Sequence, residues 1–458
     1  MEPTSSSSCS SSTSSCPTDT TNHTTISTTT IHEQHKSRHQ AKHQQASPAS
    51  KLVSLLQADE AFTQKTTNLP ADWSHQMPIT KWVKLGDVVV FKSLPNFVLD
   101  DQELCVAFGR AAATITNARV VLTFDGRIVG ELRTPPPEAV KLLYSQSRPV
   151  SKQKRRSKSR DRAVIDHDRG SNDDGSIDLD ANDDNDDDPS AWPDTETIHI
   201  ENGIRYSFDV TRVMFAPGNG TERKQAQRYT QSIEPEVVVD MFAGIGYFSV
   251  PVAVHGRVAR LISIEKNPVS CRYLARNMRL NAVDRTKTLI LCGDNRVVGN
   301  EWLGKAHRVL MGYLPSAEPF LCRALAFLNH TTLIDSRHTR VSGTLHYHYV
   351  CTKAHARLMP AKHVANALDA FQRGCRGAVA SDQHAPEFEA TMQQHLVPES
   401  EAFSAPNDTS TASDAIDPRF RIEDVRCVKS YGPRVFHFVA DITVDLVLAP
   451  NDDHGLHE

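Results

Sequence analysis

The sequence has no CxxC pair and no other spacing typical of a metal site, although its 458 residues include nine cysteines. Long apolar runs are also missing: no stretch approaches the roughly 18 apolar residues of a membrane helix, and no secretory apolar segment follows Met1. The cysteines are scattered and odd in number, which favours buried thiols in a reducing compartment. We therefore expect a cytoplasmic protein with no membrane span and no bound metal.

A bulk positive charge is absent as well. Residues 151–188 carry eight basic and twelve acidic side chains, which accounts for the whole formal charge of -4. The rest of the chain is neutral overall, so it lacks the field of a nonspecific nucleic-acid binder. Any contact with RNA must come from a local patch.

Composition separates folded stretches from stretches that cannot form a core. Residues 1–75 are expected to be a disordered Ser/Thr/His-rich tail and linker, with an organelle transit peptide as the alternative for its start. Residues 147–194 are expected to form a charged, disordered insertion, whose basic block is a nuclear signal, an RNA-binding arm or simply a solvated loop. The predicted folded parts are an N-terminal α+β domain at 76–146, a connecting β-hairpin and helix at 195–234, and a larger domain at 235–450 with a loose insertion at 383–418.

The larger domain shows strands alternating with helices from residue 237 onward, which predicts a parallel sheet covered by helices on both faces. The segment "TIHIENGIRYSFDV" before it predicts a hairpin at Asn202-Gly203. In "HYH" at 346–348 the two histidines are either metal ligands or, in our preferred interpretation, point out of a strand whose Leu345 and Tyr347 point in.

The ends of the predicted strands carry the informative residues, because ligands of open α/β sheets bind beyond the carboxyl ends of the strands. The first strand ends at Asp240, and Gly244 and Gly246 follow in "DMFAGIGYF". These glycines allow a ligand to approach the backbone closely. A dinucleotide-binding loop would have a third glycine, but position 249 is serine.

Residues at two further strand ends narrow the choice of ligand. The second strand ends at Glu265, a candidate acceptor for both ribose hydroxyls, and Asn267 is positioned to cap the next helix. The third is followed by Asp294 and Asn295, where an adenine amino group needs an acceptor. In this order the residues predict an S-adenosylmethionine (SAM) site in a class I methyltransferase-like, Rossmann-like domain.

Several motifs also resemble known enzymes. "DMFAGIGYFSVP", "EKNP", "ARNMRLNAV", "GDNR" and "KSYGPR" are similar to the tRNA guanosine-37 N1-methyltransferases and the related tRNA wybutosine-synthesizing protein 2 family. The resemblance covers roughly residues 197–445, apart from the loop at 383–418. Upstream, "GDVVVF" and "GELRTPPPEAVKLLY" resemble the eukaryotic wybutosine enzymes more loosely.

Two positions and one set of motifs separate the two branches that the resemblance suggests. The methyltransferases have an arginine where this chain has Gly218, and an asparagine where it has Tyr313. "VMFAPGNGTER", "GDNR" and "GYLPS" instead resemble the wybutosine branch, which transfers the 3-amino-3-carboxypropyl group of SAM. Ala216 departs from that branch, whose members have a serine near the cofactor.

The resemblance implies an aminocarboxypropyltransferase that acts on carbon 7 of 4-demethylwyosine at position 37 of tRNA(Phe), within the anticodon loop. It also implies that Arg223 contacts the carboxylate of SAM. The predicted cofactor-binding residues are Ala216, Arg223, Asp240, Phe242, Ala243, Gly244, Gly246, Glu265, Asn267, Asp294, Asn295, Leu314 and Pro315.

The sequence leaves other points open. A guanosine-37 N1-methyltransferase and a non-catalytic SAM-fold RNA-binding protein are the alternative functions. No general base stands out, so the catalytic residues are unknown. In "KSYGPR", Lys429 and Arg434 are either phosphate contacts or solvated turn residues.

Overall fold

The computed structural model describes residues 47–67, 82–130, 132–147, 194–333, 338–374 and 417–448. Its N-terminal half contains a four-stranded sheet in the order β1-β2-β3-β4, with β2 and β3 parallel and the outer pairs antiparallel. The elements are α1 (Pro48–Ala58), α2 (Glu60–Thr66), β1 (Trp82–Leu85), β2 (Val88–Phe91), α3 (Asn96–Leu99), α4 (Gln102–Thr116), β3 (Val120–Phe124) and β4 (Val140–Ser145).

Helices α1 and α2 correct the predicted boundary of the tail. Residues 48–66 were expected to be disordered, but Leu52, Leu56 and Phe62 are buried in the same core as Phe108 of α4. The prediction failed because these helices are short, and their packing on α4 and on each other stabilises them. The rest of the expected tail, residues 148–193 of the charged insertion and residues 383–416 of the loose insertion lie outside the described residues.

A β-hairpin connects the two halves of the chain. Strands β5 (Glu196–Glu201) and β6 (Ile204–Asp209) pair antiparallel, and Asn202 and Gly203 both have positive φ angles, 52° and 82°, which confirms the predicted turn. The Thr197 hydroxyl accepts from the backbone N–H of Asp87 in the N-terminal domain, at 3.2 Å. The Asn277 side-chain oxygen in the larger domain accepts from the N–H of Ser207, at 2.7 Å.

The larger domain is built on one sheet in the order β13-β14-β12-β10-β7-β8-β9, with the short β11 beside β12. The five strands from β12 to β9 are parallel, whereas β13 and β14 form an antiparallel terminal hairpin whose β14 also pairs antiparallel with β12. Its elements are α5 (Gly220–Ala226), β7 (Glu236–Asp240), α6 (Ser249–His255), β8 (Val258–Glu265), α7 (Pro268–Leu280), β9 (Thr288–Cys292), β10 (Arg308–Met311), α8 (Leu321–Phe327), β11 (Asn329–Thr332), β12 (Thr339–Cys351), α9 (Leu358–Gln372), β13 (Phe420–Gly432) and β14 (Val435–Leu448).

Both faces of this sheet are covered, as predicted. Val239 of β7 packs in the core beneath α8 and α9, whereas its neighbour Val238 packs in the core beneath α6 and α7. This two-sided burial explains why "VVV" has no polar alternation. The chain winds from β7 to β8 and β9 on one side and continues through β10 and β12 on the other, so the order of strands reverses next to β7. The carboxyl end of β7 is therefore the expected ligand position.

The histidines of "HYH" do not point into solvent, so that expectation is wrong. His346 and His348 are 2% and 3% exposed, because the Tyr229 and Phe248 rings pack on them and cover the face that was expected to be polar. His346 shares a hydrogen bond of 2.6 Å with Asp441 and stacks on Tyr229 with 3.7 Å between ring centroids. Burial is tolerated here because the polar atoms find partners within the fold.

Candidate functional site

The loop after β7 is shaped by its two glycines. Gly244 and Gly246 have φ angles of 57° and 99°, values that residues with a Cβ rarely adopt. A Cβ on Gly246 would lie 2.5 Å from the Val250 side chain and 2.9 Å from that of Leu274. The loop is thus pressed against α6 and α7, and only glycine fits at this point.

Glu265, at the end of β8, holds this loop in place. One carboxylate oxygen accepts from the backbone N–H of Gly244 and the other from that of Asn267, both at 2.7 Å. Burial raises the pKa of Glu265, while backbone hydrogen bonds from Asn267, Gly244 and Lys266 lower it. The two oxygens have four lone pairs and three backbone N–H groups occupy three of them, so one acceptor position remains. The carboxylate therefore has the capacity to accept the hydrogen of a ribose hydroxyl.

Asn267 connects this edge with the N-terminal domain. Its side-chain oxygen accepts from the N–H of Val269 at 2.9 Å, which is the predicted helix cap, with Pro268 in the first position of α7. Its side-chain amide donates to the carbonyl of Leu132 at 3.0 Å. The segment around Leu132 therefore reaches the carboxyl edge of the sheet.

Asp294 and Asn295 follow β9 on the same edge. Although burial raises the pKa of Asp294, hydrogen bonds from Arg296 and Lys266 hold it well below its usual range. The Asn295 amide donates to the Met241 carbonyl at 2.9 Å, whereas its buried side-chain oxygen has no partner among the described residues. A buried, unpaired acceptor is costly, and the amino group of an adenine would satisfy it.

Asp240 lies completely buried beneath the loop. Its two carboxylate oxygens accept from the Ser249 hydroxyl at 2.7 Å and from the N–H of Phe242 at 3.2 Å. The next residue, Ala243, donates its N–H to the carbonyl of Ile264 at 2.9 Å. Burial raises the pKa of Asp240 from 3.8 to about 6. Ionised Asp240 therefore costs stability at neutral pH.

We expect Asp240→Asn to change how stability depends on pH. A raised folded-state pKa gives a favourable contribution below pH 3.8 that is lost as the pH rises through 6. The change from 3.8 to about 6 corresponds to at most roughly 3 kcal/mol. Urea unfolding from pH 4 to pH 8 should show the wild type losing this amount relative to Asp240→Asn. Parallel pH profiles for the two proteins would contradict the assignment.

The end of β10 carries an aromatic cluster. Tyr313 lies 5.0 Å from Phe242 and 5.6 Å from Phe320, and Phe242 lies 4.9 Å from Phe320, all between ring centroids. Leu314 and Pro315 follow directly and are joined by a cis peptide bond. A half-buried cluster of this kind suits the face of a flat, apolar ring system.

Arg133 covers this cluster from the N-terminal domain. Its guanidinium carbon lies 4.8 Å from the centroid of the Tyr313 ring, and the guanidinium donates to the Leu314 carbonyl. No pattern in the sequence predicted a role for Leu132 or Arg133. Both lie in "GELRTPPP", and nothing local to that segment indicates contacts with Asn267 and Leu314, which lie 135 and 181 positions away.

Arg223, the predicted carboxylate ligand, already has a counter-ion. It is 2% exposed and forms a two-pronged ion pair with Glu201, in which Nη2 donates to Oε1 at 3.0 Å. Nη1 donates to the Ala216 carbonyl at 3.0 Å, and the guanidinium carbon lies 4.8 Å from the centroid of the Phe215 ring. The assignment of Arg223 to the cofactor stays a prediction, and its observed contacts hold the turn after Phe215.

The structure also bears on the predicted strand-end site, on metal binding and on membrane spans. The predicted residues at the ends of β7, β8 and β9 lie together on one edge of the sheet, as their hydrogen bonds show. No cluster of three metal-binding side chains occurs among the described residues. None of the helices in the described part of the chain has the length and apolar content needed to cross a bilayer.

Comparisons with known proteins find several similar proteins. Residues 197–372 match the family described as TRM5/TYW2 methyltransferase domain. The chain is 31% identical over 268 residues to the tRNA(Phe) (4-demethylwyosine(37)-C(7)) aminocarboxypropyltransferase of Methanocaldococcus jannaschii, covering 58% of this chain and 77% of that protein. It is 41% identical over 147 residues to the Pyrococcus horikoshii protein of the same name, covering 32% of this chain and half of that protein. The crystal structure of P. horikoshii TYW2 in complex with MeSAdo shares 22% identity over 83% of this chain and 97% of that one, with a TM-score of 0.49.

Proposed function

The chain belongs to the TRM5/TYW2 family, and from this membership we propose that it transfers the 3-amino-3-carboxypropyl group of SAM to a guanosine-derived base of tRNA. The acceptor is carbon 7 of 4-demethylwyosine at position 37 in the anticodon loop of tRNA(Phe), and 5'-methylthioadenosine is released. The two aminocarboxypropyltransferases with 31% and 41% identity support this branch. The cytoplasmic location stays a prediction.

The residues at the carboxyl edge fit the adenosyl part of SAM. The Glu265 carboxylate keeps one acceptor position for a ribose hydroxyl, and the unpaired Asn295 oxygen matches the adenine amino group. Gly244 and Gly246 allow the loop to turn tightly beside Glu265. These residues bind and orient the cofactor and take no part in bond making.

The observation that carries the choice of acceptor is the aromatic cluster under Arg133. A tricyclic base presents a large flat face, which stacks well on Tyr313 and its aromatic neighbours. The Arg133 guanidinium over Tyr313 adds a cationic edge to this platform. The N1-methyltransferases that the chain resembles have an asparagine at this place, and Tyr313 lacks its amide.

Positioning alone decides which group is transferred. When bound, SAM supplies three electrophilic carbons on one sulfonium, and the carbon held in line with the nucleophile is the one that reacts. In the proposed transfer, carbon 7 of the base forms a bond with the γ-carbon of the methionine arm. The γ-carbon–sulfur bond breaks, sulfur keeps the electron pair, and the proton on carbon 7 is released. The protein's part is to hold the base on the Tyr313 cluster and the arm beside it.

We expect purified full-length protein, incubated with SAM and tRNA(Phe) that carries 4-demethylwyosine, to release methylthioadenosine. The tRNA nucleoside should gain the mass of one aminocarboxypropyl group, measured by liquid chromatography and mass spectrometry. S-adenosylhomocysteine as the only nucleoside product would overturn the proposal in favour of the N1-methyltransferase. SAM binding without turnover on either tRNA guanosine or its tricyclic derivative would favour a non-catalytic RNA-binding protein.

A further inference from the structure

The terminal hairpin places Lys429 against the turn that precedes α5. Lys429 Cδ lies 2.9 Å, and Nζ 3.5 Å, from the position that a Cβ on Gly218 would occupy. A side chain at position 218 would therefore displace the lysine stem. Because Gly218 has none, Lys429 of β13 lies directly on the turn 216–219, with its ammonium group beside the turn backbone.

This ammonium group has no counter-ion in the described part of the chain. Lys429 is half-buried, and its Nζ forms no hydrogen bond or ion pair with any described residue. Burial lowers the pKa of Lys429, and the like charges of Arg223 and Lys92 lower it further. Arg223 is neutralised by Glu201. A desolvated, uncompensated cation is costly, so an anion at this position would be stabilised strongly.

A second unpaired polar group lies next to the lysine. His437 of β14 is the cross-strand neighbour of Lys429, so both side chains lie on the same face of the hairpin. His437 is completely buried, its Nε2 is 3.1 Å from His348 Nδ1, and its own Nδ1 has no partner among the described residues. Burial, with the charge of Lys429 contributing, lowers the pKa of His437 to about 3. The neutral ring can present an N–H beside the ammonium group.

The turn beside Lys429 is joined to the glycine loop. The Tyr247 hydroxyl donates to the Met214 carbonyl, and the same ring lies 2.6 Å from the position that a Cβ on Gly244 would take. The segment from Met214 to Gly218 thus runs from the cofactor loop to the lysine. An anion held by Lys429 would therefore be separated from the adenosyl site only by the segment from Met214 to Gly218.

We infer that Lys429, with His437 and the turn 216–219, forms an oxyanion subsite of the active site. The ligand is a carboxylate or phosphate oxygen, supplied by the carboxylate of the transferred aminocarboxypropyl arm or by a phosphate of the tRNA. The inference rests on the proposed function, because both anions belong to its substrates. Lys429 would then make the contact with the carboxylate of SAM that the family resemblance implies for Arg223.

Three ligands test the subsite in the full-length protein. S-adenosylhomocysteine carries the carboxylate, 5'-methylthioadenosine has the same nucleoside without the arm, and tRNA(Phe) carries only phosphate anions. If the carboxylate is the ligand, Lys429→Met should weaken S-adenosylhomocysteine binding at least about tenfold in calorimetry and leave methylthioadenosine binding unchanged. Lys429→Arg should restore most of this affinity.

If a tRNA phosphate is the ligand, Lys429→Met should leave the binding of both nucleosides unchanged and weaken the binding of tRNA. The slope of log affinity against log salt concentration should then become shallower by about one. Arg434→Asn is the matched control, since it removes an exposed charge from the same hairpin at a φ of 60° that asparagine tolerates. It should not change the binding of either nucleoside.

Unchanged binding of all three ligands by Lys429→Met would overturn the subsite. An equal loss for S-adenosylhomocysteine and methylthioadenosine would overturn it too, because Lys429 would then only support the fold. A wild-type protein that binds neither nucleoside would instead refute the proposed function, which keeps the two failures distinguishable.

Discussion

Replacing Arg426 with methionine is expected to lower the free energy of unfolding by about 3–5 kcal/mol. The Arg426 guanidinium, on β13, donates to Glu222 at 2.9 Å and to Asp441 at 2.8 Å. The Glu222 side chain is 3% exposed and that of Asp441 is 18% exposed. Without the arginine, two largely buried carboxylates lose their shared counter-ion. Chemical unfolding at pH 7 measures the change.

Arg421 provides the matched control on the same strand. It pairs with Glu423, but its side chain is 74% exposed, so solvent replaces the pair easily. Arg421→Met should leave the unfolding midpoint unchanged. Adding Asp441→Asn to Arg426→Met should recover part of the loss, because it removes one of the unpaired charges. Equal stability of Arg426→Met and Arg421→Met would contradict the proposed role of Arg426.

The effect of Arg426→Met should also depend on pH. Although burial raises the pKa of Asp441, hydrogen bonds from His346 and Arg426 hold it well below its usual range. A lowered folded-state pKa gives stability that is present above the ordinary pKa and is lost as the pH falls through the folded-state value. The difference between wild type and variant should therefore be complete at pH 7 and shrink below about pH 4.

The sequence predicted those features of the fold that local patterns determine. Alternating strands and helices gave the parallel sheet, and Asn202-Gly203 gave the hairpin turn, because both depend on backbone preferences of neighbouring residues. The strand-end positions of Asp240, Glu265 and Asp294 followed from the rule for open sheets. Their roles toward a ligand remain predictions, since hydrogen bonds within the protein do not identify the ligand.

Features that depend on distant contacts were not predictable in this way. The burial of His346 arises from Asp441, almost a hundred positions later, and from Tyr229 before the sheet. Arg133 reaches Tyr313 from another domain, and Lys429 fills a space that exists only because position 218 is glycine. A single sequence shows the periodicity of residues along the chain. It does not reveal which polar groups from distant parts of the chain come into contact in the fold.

Glu265→Ala is expected to weaken the binding of S-adenosylhomocysteine by at least about 100-fold, because a hydrogen bond to a charged carboxylate and the support of the glycine loop are lost together. The loss therefore has two sources. A ribose hydroxyl loses its acceptor, and the backbone N–H groups of Gly244 and Asn267 lose theirs, so the glycine loop is no longer held. Calorimetry with the full-length protein measures the affinity. Glu301 is an exposed carboxylate in the loop between β9 and β10, so Glu301→Gln should bind like the wild type.

A ligand without one ribose hydroxyl separates the two sources. 5'-Methylthioadenosine and its 2'-deoxy analogue differ only in a hydrogen-bond donor, so the wild type should prefer the ribonucleoside about tenfold or more. If Glu265 accepts that hydroxyl, Glu265→Ala should bind both nucleosides equally weakly. If the variant keeps the preference, another group accepts the hydroxyl, and Glu265 acts only through the loop. Because loop distortion weakens both ligands alike, the ratio of the two affinities reports the direct contact alone.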